Sequence, residues 1–198
     1  MWKRFSEWLL TKQLGWTIRV DQPHPDKFII CLAPHTSNWD FAMGQLYCSA
    51  SGMKIGFLMK REWFFWPLGP LFRRLGGIPV DRRRHGSMTD ALAQAAHDEK
   101  LFRLCITPEG TRSRVEQWKR GFYYVALKAQ IPIQLYGLDY ERRLIECTKT
   151  IVPTGDVEAD MRQIKLYFKD FKGRRPENFS VGSLAAERQD EQQRNDTK

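Results

Sequence analysis

Apolar and polar positions along this chain change period repeatedly, and each change marks an element. Residues 28–33 (FIICLA) are continuously apolar and stop at Pro34, as a strand buried on both faces does. Residues 54–59, 77–80, 101–106 and 131–136 read as further strands, and 144–152 as an antiparallel one. Helical periodicity covers 38–50, stopped by Gly52, and then 87–99, 119–129 and 156–171. Ser87 opens an S-x-x-D sequence, a candidate N-cap with Asp90 as its partner. In the last helix Met161, Ile164, Phe168 and Phe171 share one face, a stripe suited to core packing. Strands alternating with helices make the fold α/β.

The two ends differ from this pattern. On a helix, Trp2, Phe5, Trp8, Leu9 and Trp16 gather within about 120° of arc, with Lys3, Arg4 and Glu7 opposite. Such a helix suits either a bilayer interface or a groove on the domain. From Arg174 onward the chain is polar and ends in QDEQQRNDTK, which reads as a flexible tail. Three segments result: an amphipathic helix over 1–20, the main domain over 21–173 and the tail over 174–198. The most apolar internal run, WFFWPLGPLF over 63–72, is too short to span a bilayer and reads as a lipid-facing loop.

Composition narrows the partners. Thirty-two Lys and Arg against 23 Asp and Glu give a net charge of +9. Residues 54–120 carry 14 of those cations and only 7 of the acids. That excess suits phosphate esters, acidic headgroups or nucleic acid, and the seven Trp and twelve Phe tilt the choice towards lipid. Four cysteines (Cys31, Cys48, Cys105, Cys147) are widely spaced, with no zinc-ligand pattern, which points to a reducing compartment and no metal.

The candidate chemistry begins where residues 28–33 deliver the chain into HTSNWD. His35 and Asp40 are five residues apart, about 140° on one continuous helix, so they meet only if His35 lies in the loop and Asp40 in the first helical turn. Thr36, Ser37 and Asn38 are suitable caps for that start. Asp40 would then orient an imidazole able to take a proton from a hydroxyl. The spacing alone arises by chance about once in five such chains, and His85 with Asp90 repeats it. His85, however, follows a basic polar loop, whereas His35 leaves an apolar strand. A second element, TPEGTRS over 107–113, is a turn after a strand, bringing Glu109 and Arg112 to one strand end. A third, GGIPVDR over 76–82, ends in Arg82, a planar fork suited to phosphate.

Together, in this order, these elements resemble the glycerophosphate and lysophospholipid acyltransferase family, whose blocks are matched by His35–Asp40, Gly77-Ile-Pro-Val-Asp81-Arg82, Pro108-Glu109-Gly110-Thr111-Arg112-Ser113, Lys119-Arg120-Gly121 and Ile131-Pro132-Ile133. Departures are Pro34 before the histidine, Leu135 in the last block and a short stretch between Ser113 and Lys119. The resemblance implies a mixed, mostly parallel sheet flanked by helices, behind an N-terminal amphipathic helix. It implies acyl transfer from acyl-CoA or acyl carrier protein to a lysophospholipid hydroxyl, 1-acylglycerol-3-phosphate first among acceptors, in phospholipid biosynthesis. His35 and Asp40 would be catalytic; Arg82, Glu109, Gly110, Thr111, Arg112 and Lys60 would bind substrate. No cofactor, metal or nucleic acid is implied, and the expected location is the cytoplasmic face of a membrane, held peripherally. Alternatives are transfer to another lysolipid, hydrolysis by the same pair, and a basic membrane-binding module without chemistry.

Overall fold

A computed structural model describes residues 2–80 and 85–182. Its strands are β1 Thr17–Val20, β2 Lys27–Ala33, β3 Gly56–Lys60, β4 Gly77–Val80, β5 Phe102–Ile106, β6 Ile133–Asp139 and β7 Leu144–Ile151. They form one sheet in the order β1-β7-β6-β2-β5-β3-β4. From β6 to β4 all neighbours run parallel; β7 is antiparallel to β6, and β1 pairs parallel with β7. The sheet is mixed and mostly parallel, as the sequence led us to expect.

Helices cover both faces: α1 Trp2–Trp8, α2 Trp39–Ser51, α3 Leu68–Arg74, α4 His85–Asp98, α5 Gly121–Ala129 and α6 Val157–Phe168. Alternation along β2 divides the core between those faces. Ile29, Cys31 and Ala33 join Leu104, Phe122, Ile164 and Phe168 under α4, α5 and α6. Phe28 and Ile30 join Met43, Tyr47, Leu138 and Leu10 under α1 and α2. Each fully buried Leu, Ile or Phe among them contributes roughly 1.5–3 kcal/mol, so the central strands, buried on both sides, anchor whatever their ends carry.

Several boundaries differ from the sequence reading. The N-terminal helix is α1 plus a π-helical turn over Leu9–Gln13, and the chain then enters β1 instead of continuing to residue 20. Helix and domain meet through Ser6, bonded to Ser49 of α2 at 2.7 Å, and through Leu10, which is fully buried. Trp16 leaves the expected arc and is buried, while Trp2, Phe5 and Trp8 stay exposed. The expected loop over 63–72 holds a 3-10 turn, Arg61–Trp63, and α3. Helix α4 starts at His85, so position 87 lies inside it, and Asp90 pairs with Lys128 of α5 instead of serving a cap. Part of the segment expected to be a tail, 174–182, packs on the domain: Trp118 Nε1 donates to Ser180 O at 2.9 Å, and Val181 is buried, while residues 183–198 lie outside the described residues.

Candidate active site

Three adjacent parallel strands converge on one edge of the sheet, the carboxyl edge at which open α/β sheets bind ligands. β2 leads into His35, β5 into Glu109 and β6 into Tyr140. Their order β6-β2-β5 sets these three side chains side by side.

His35 lies in the loop and Asp40 in the first turn of α2, the arrangement their spacing requires. Nδ1 of His35 is 3.1 Å from Oδ2 of Asp40; the imidazole is 16% exposed and the carboxylate not at all. The same Oδ2 accepts the backbone N–H groups of Thr36 at 2.8 Å and Ser37 at 2.9 Å. Of the expected caps Asn38 makes none, Ser37 Oγ accepts the Trp39 N–H at 3.3 Å, and the aspartate of the helix also reaches back to fix the loop before it. A carboxylate in a first turn is also favoured by the helix dipole. Oδ1 accepts the hydroxyl of Tyr140 at 2.7 Å.

By contrast, His85 and Asp90 lie on one continuous helix, and the Asp90 carboxylate is bound to Lys128. Five residues on a helix point roughly 140° apart. The second pair thus has the spacing without the loop-to-helix placement that His35 and Asp40 have.

The turn after β5 closes the other side. Glu109 is buried, and its Oε1 accepts the His35 backbone N–H at 2.9 Å. Its Oε2 is buried with no hydrogen-bond partner among the described residues. Burial pushes this carboxyl up to about 7, against the opposing pull of the His35 N–H. Gly110 has φ +65°, a left-handed conformation that favours glycine, and it packs beneath the flexible end of the Lys119 side chain. Lys119 N in turn donates to Pro108 O at 2.8 Å, bringing the sequence-identified KRG element against the turn. Thr111 is exposed, and its Oγ1 accepts Ser113 N.

In front of the loop lies a cleft of about 400 Å³ lined by Thr36, Ser37, Asn38, Trp39, Arg112 and Arg175. Neither guanidinium has a carboxylate partner among the described residues. Lys60 ends β3 on the same sheet edge. Arg82, expected to bind phosphate, lies outside the described residues.

Tyr140 and Arg175 are contributors that the sequence reading missed. Arg175 arrives because Gly173 packs on Pro34 and Thr36, where a Cβ would lie 2.6 Å from Thr36 Oγ1, and because the Arg175 N–H donates to that same oxygen at 3.2 Å. The neighbouring Arg174 guanidinium stacks 4.9 Å above the Trp39 ring. The Gly-Arg-Arg-Pro run at 173–176 was the available signal, hidden by the polar composition around it. Tyr140 had no signal of its own, since only the β6–β2 pairing brings it to Asp40.

Comparisons with known proteins bear on the family and the fold. The Acyltransferase family profile matches residues 17–135. Among solved structures, the 1-acyl-sn-glycerophosphate (LPA) acyltransferase PlsC from Thermotoga maritima is similar at 18% identity and a TM-score of 0.53, over 86% of this chain and 80% of that one. At that identity the likeness concerns the fold. No curated protein matches the chain.

Proposed function

The chain belongs to the acyltransferase family, and from that premise we propose that it moves a fatty acyl group from a thioester, acyl-CoA or acyl carrier protein, to a hydroxyl of a lysophospholipid. The acceptor we favour is 1-acylglycerol-3-phosphate, which makes this a step of phospholipid biosynthesis. The observation that carries the reading is the 3.1 Å contact of His35 Nδ1 with a fully buried Asp40 carboxylate.

A carboxylate at Nδ1 keeps the proton on that nitrogen and leaves Nε2 as the acceptor. Nε2 takes the proton of the acceptor hydroxyl, and the oxygen attacks the thioester carbonyl. The tetrahedral adduct collapses with cleavage of the C–S bond, and the thiolate leaves with the proton held by the imidazolium. One C–O bond forms, one C–S bond breaks, and no protein nucleophile is required, because a thioester is already activated. Cys31 and Cys105 fit that scheme: burial raises both thiols well above the ordinary range and keeps them protonated.

The guanidinium groups of Arg112 and Arg175, without a carboxylate partner among the described residues, lie beside the cleft and suit an acceptor phosphate, joined on this reading by Lys60 and Arg82. Glu109, Gly110 and Thr111 form the turn that receives the acceptor backbone, and a neutral Glu109 carboxyl has a hydroxyl to donate. Docking on a membrane surface, which on this reading is the cytoplasmic face, draws support from two exposed apolar groups. One is Trp2, Phe5 and Trp8 on α1; the other is Trp63, Phe65, Trp66 and Leu71 around α3. No helix among the described residues is long and apolar enough to cross a bilayer.

Mass spectrometry of products from purified protein, with a panel of lysolipids and both donor types, tests the reading. Acceptor-dependent thiol release with a diacyl product is expected. Thiol release without acceptor would make the protein a hydrolase, and vesicle binding without any turnover would make it a non-catalytic module.

A further inference from the structure

Asp40 carries four hydrogen-bond donors on two oxygens, and they are unevenly shared. Thr36 N, Ser37 N and His35 Nδ1 all reach Oδ2. Oδ1 is reached by the Tyr140 hydroxyl at 2.7 Å. We infer that Tyr140 is a positioning residue for the general base: by holding Oδ1 it fixes the rotation of the buried carboxylate, and thereby the direction in which Oδ2 holds the His35 imidazole.

Two features of the surroundings support this role. The carboxyl is a rigid plane that turns about its Cβ–Cγ bond, so a hydroxyl held on Oδ1 resists, from the opposite side, the same rotation that the three donors on Oδ2 oppose. Tyr140 itself is fixed at three points. Its N–H donates to Lys172 O at 2.8 Å, its ring meets the buried Trp16 edge-on at 5.0 Å, and its hydroxyl meets Asp40. Burial, reinforced by the charge of Asp40, raises the phenol far above its ordinary range, so it stays a donor. The residue that tethers it in turn, Lys172, follows Phe171, whose ring occupies the space a side chain at Gly137 would fill. The strand pairing that sets β6 beside β2 thus also sets the hydroxyl beside the carboxylate.

The kinetic consequence rests on the acyltransferase reading, whereas the geometric one does not, and the test keeps them apart. Tyr140→Phe removes the hydroxyl and leaves the ring on Trp16. We expect kcat to fall about tenfold, with KM for donor and acceptor within about twofold of the parent. Replacing Tyr140 by 4-aminophenylalanine, which restores an N–H donor at the same place, should recover most of that loss. The far-downfield proton resonance of His35 Nδ1–H, assigned by its absence in Asp40→Asn, should shift or broaden in Tyr140→Phe and return with the amino analogue. That resonance is read whether or not the protein transfers acyl groups, so an inactive parent would sink the functional reading without touching this one. An unchanged resonance with unchanged kcat would overturn the inference. So would a rise in KM at constant kcat, or a Tyr140→Phe protein that no longer folds, since either assigns the hydroxyl to structure alone.

Discussion

Glu109 Oε1 accepts the backbone N–H of His35 across 2.9 Å and so ties the end of β5 to the first residue after β2. The bond makes the histidine loop and the glutamate turn one unit. It also joins the loop to a carboxyl that burial holds at about 7.

That shift has a definite sign in stability. A raised carboxyl binds protons more tightly in the folded chain than in the unfolded one, so its contribution is full below its ordinary value of 4.5 and is lost as pH rises to about 7. Glu109→Gln keeps an oxygen for the His35 N–H and removes the titration. The melting temperature of the variant relative to the parent should therefore climb between pH 4.5 and 7, by an amount equivalent to about 3 kcal/mol. A constant difference over that range would show that Glu109 ionises freely in the folded protein.

His35→Ala and Asp40→Asn should reduce acyl transfer by roughly 10²–10⁴-fold while circular dichroism stays native. The equally spaced pair gives the opposite result: His85→Ala and Asp90→Asn should keep most of the activity. Asp90→Asn loses the exposed pairing with Lys128, worth at most about 1 kcal/mol. Acyl transfer by the four variants reads this directly, and the reverse pattern would move the site to the wrong helix.

Substitution of Gly173 acts on the site from a distance. Its added Cβ would press on Thr36 Oγ1 at 2.6 Å and on Pro34 Cβ at 3.1 Å, lifting the segment that carries Arg175. Gly173→Ala should raise KM for a phosphate-bearing acceptor about tenfold, roughly what Arg175→Gln does by losing one charge-assisted contact. Donor KM should hardly move in either variant. Equal losses with a phosphate-free lysolipid would remove Arg175 from phosphate recognition.

Replacing Trp2, Phe5 and Trp8 with Ser changes side chains that are 77%, 48% and 47% exposed, so the fold should survive. Binding to anionic vesicles should drop at least tenfold, and the parent's binding should weaken with salt. Sedimentation with vesicles measures both. A folded triple mutant that still pellets with vesicles would assign the attachment to the surface around α3, or to charge alone.

The sequence carried more of the site than of its frame. HTSNWD and TPEGTR are local: each functional side chain lies within a few residues of the strand that delivers it, and apolar runs show such strands plainly. β1 escaped notice because its four residues alternate between exposed and half-buried, with no apolar run to announce an edge strand. Helix α3 was obscured by two prolines and a glycine in an aromatic stretch that keeps much of its apolar surface in solvent. Arg175 and Tyr140 reach the site across 139 and 100 residues of chain. No local pattern records contacts of that kind; strand order does.

Trp16 packs against Tyr140 and closes, with Leu10, one side of the core that also holds Leu138 and Ile145. The aromatic face of α1 and the ring that braces the Asp40 partner Tyr140 are thus consecutive parts of a single stretch of chain. Trimming the first sixteen residues would remove the ring that braces Tyr140 together with the exposed aromatics of α1. The two contributions can be separated only by changing the exposed side chains one at a time, with the backbone left whole.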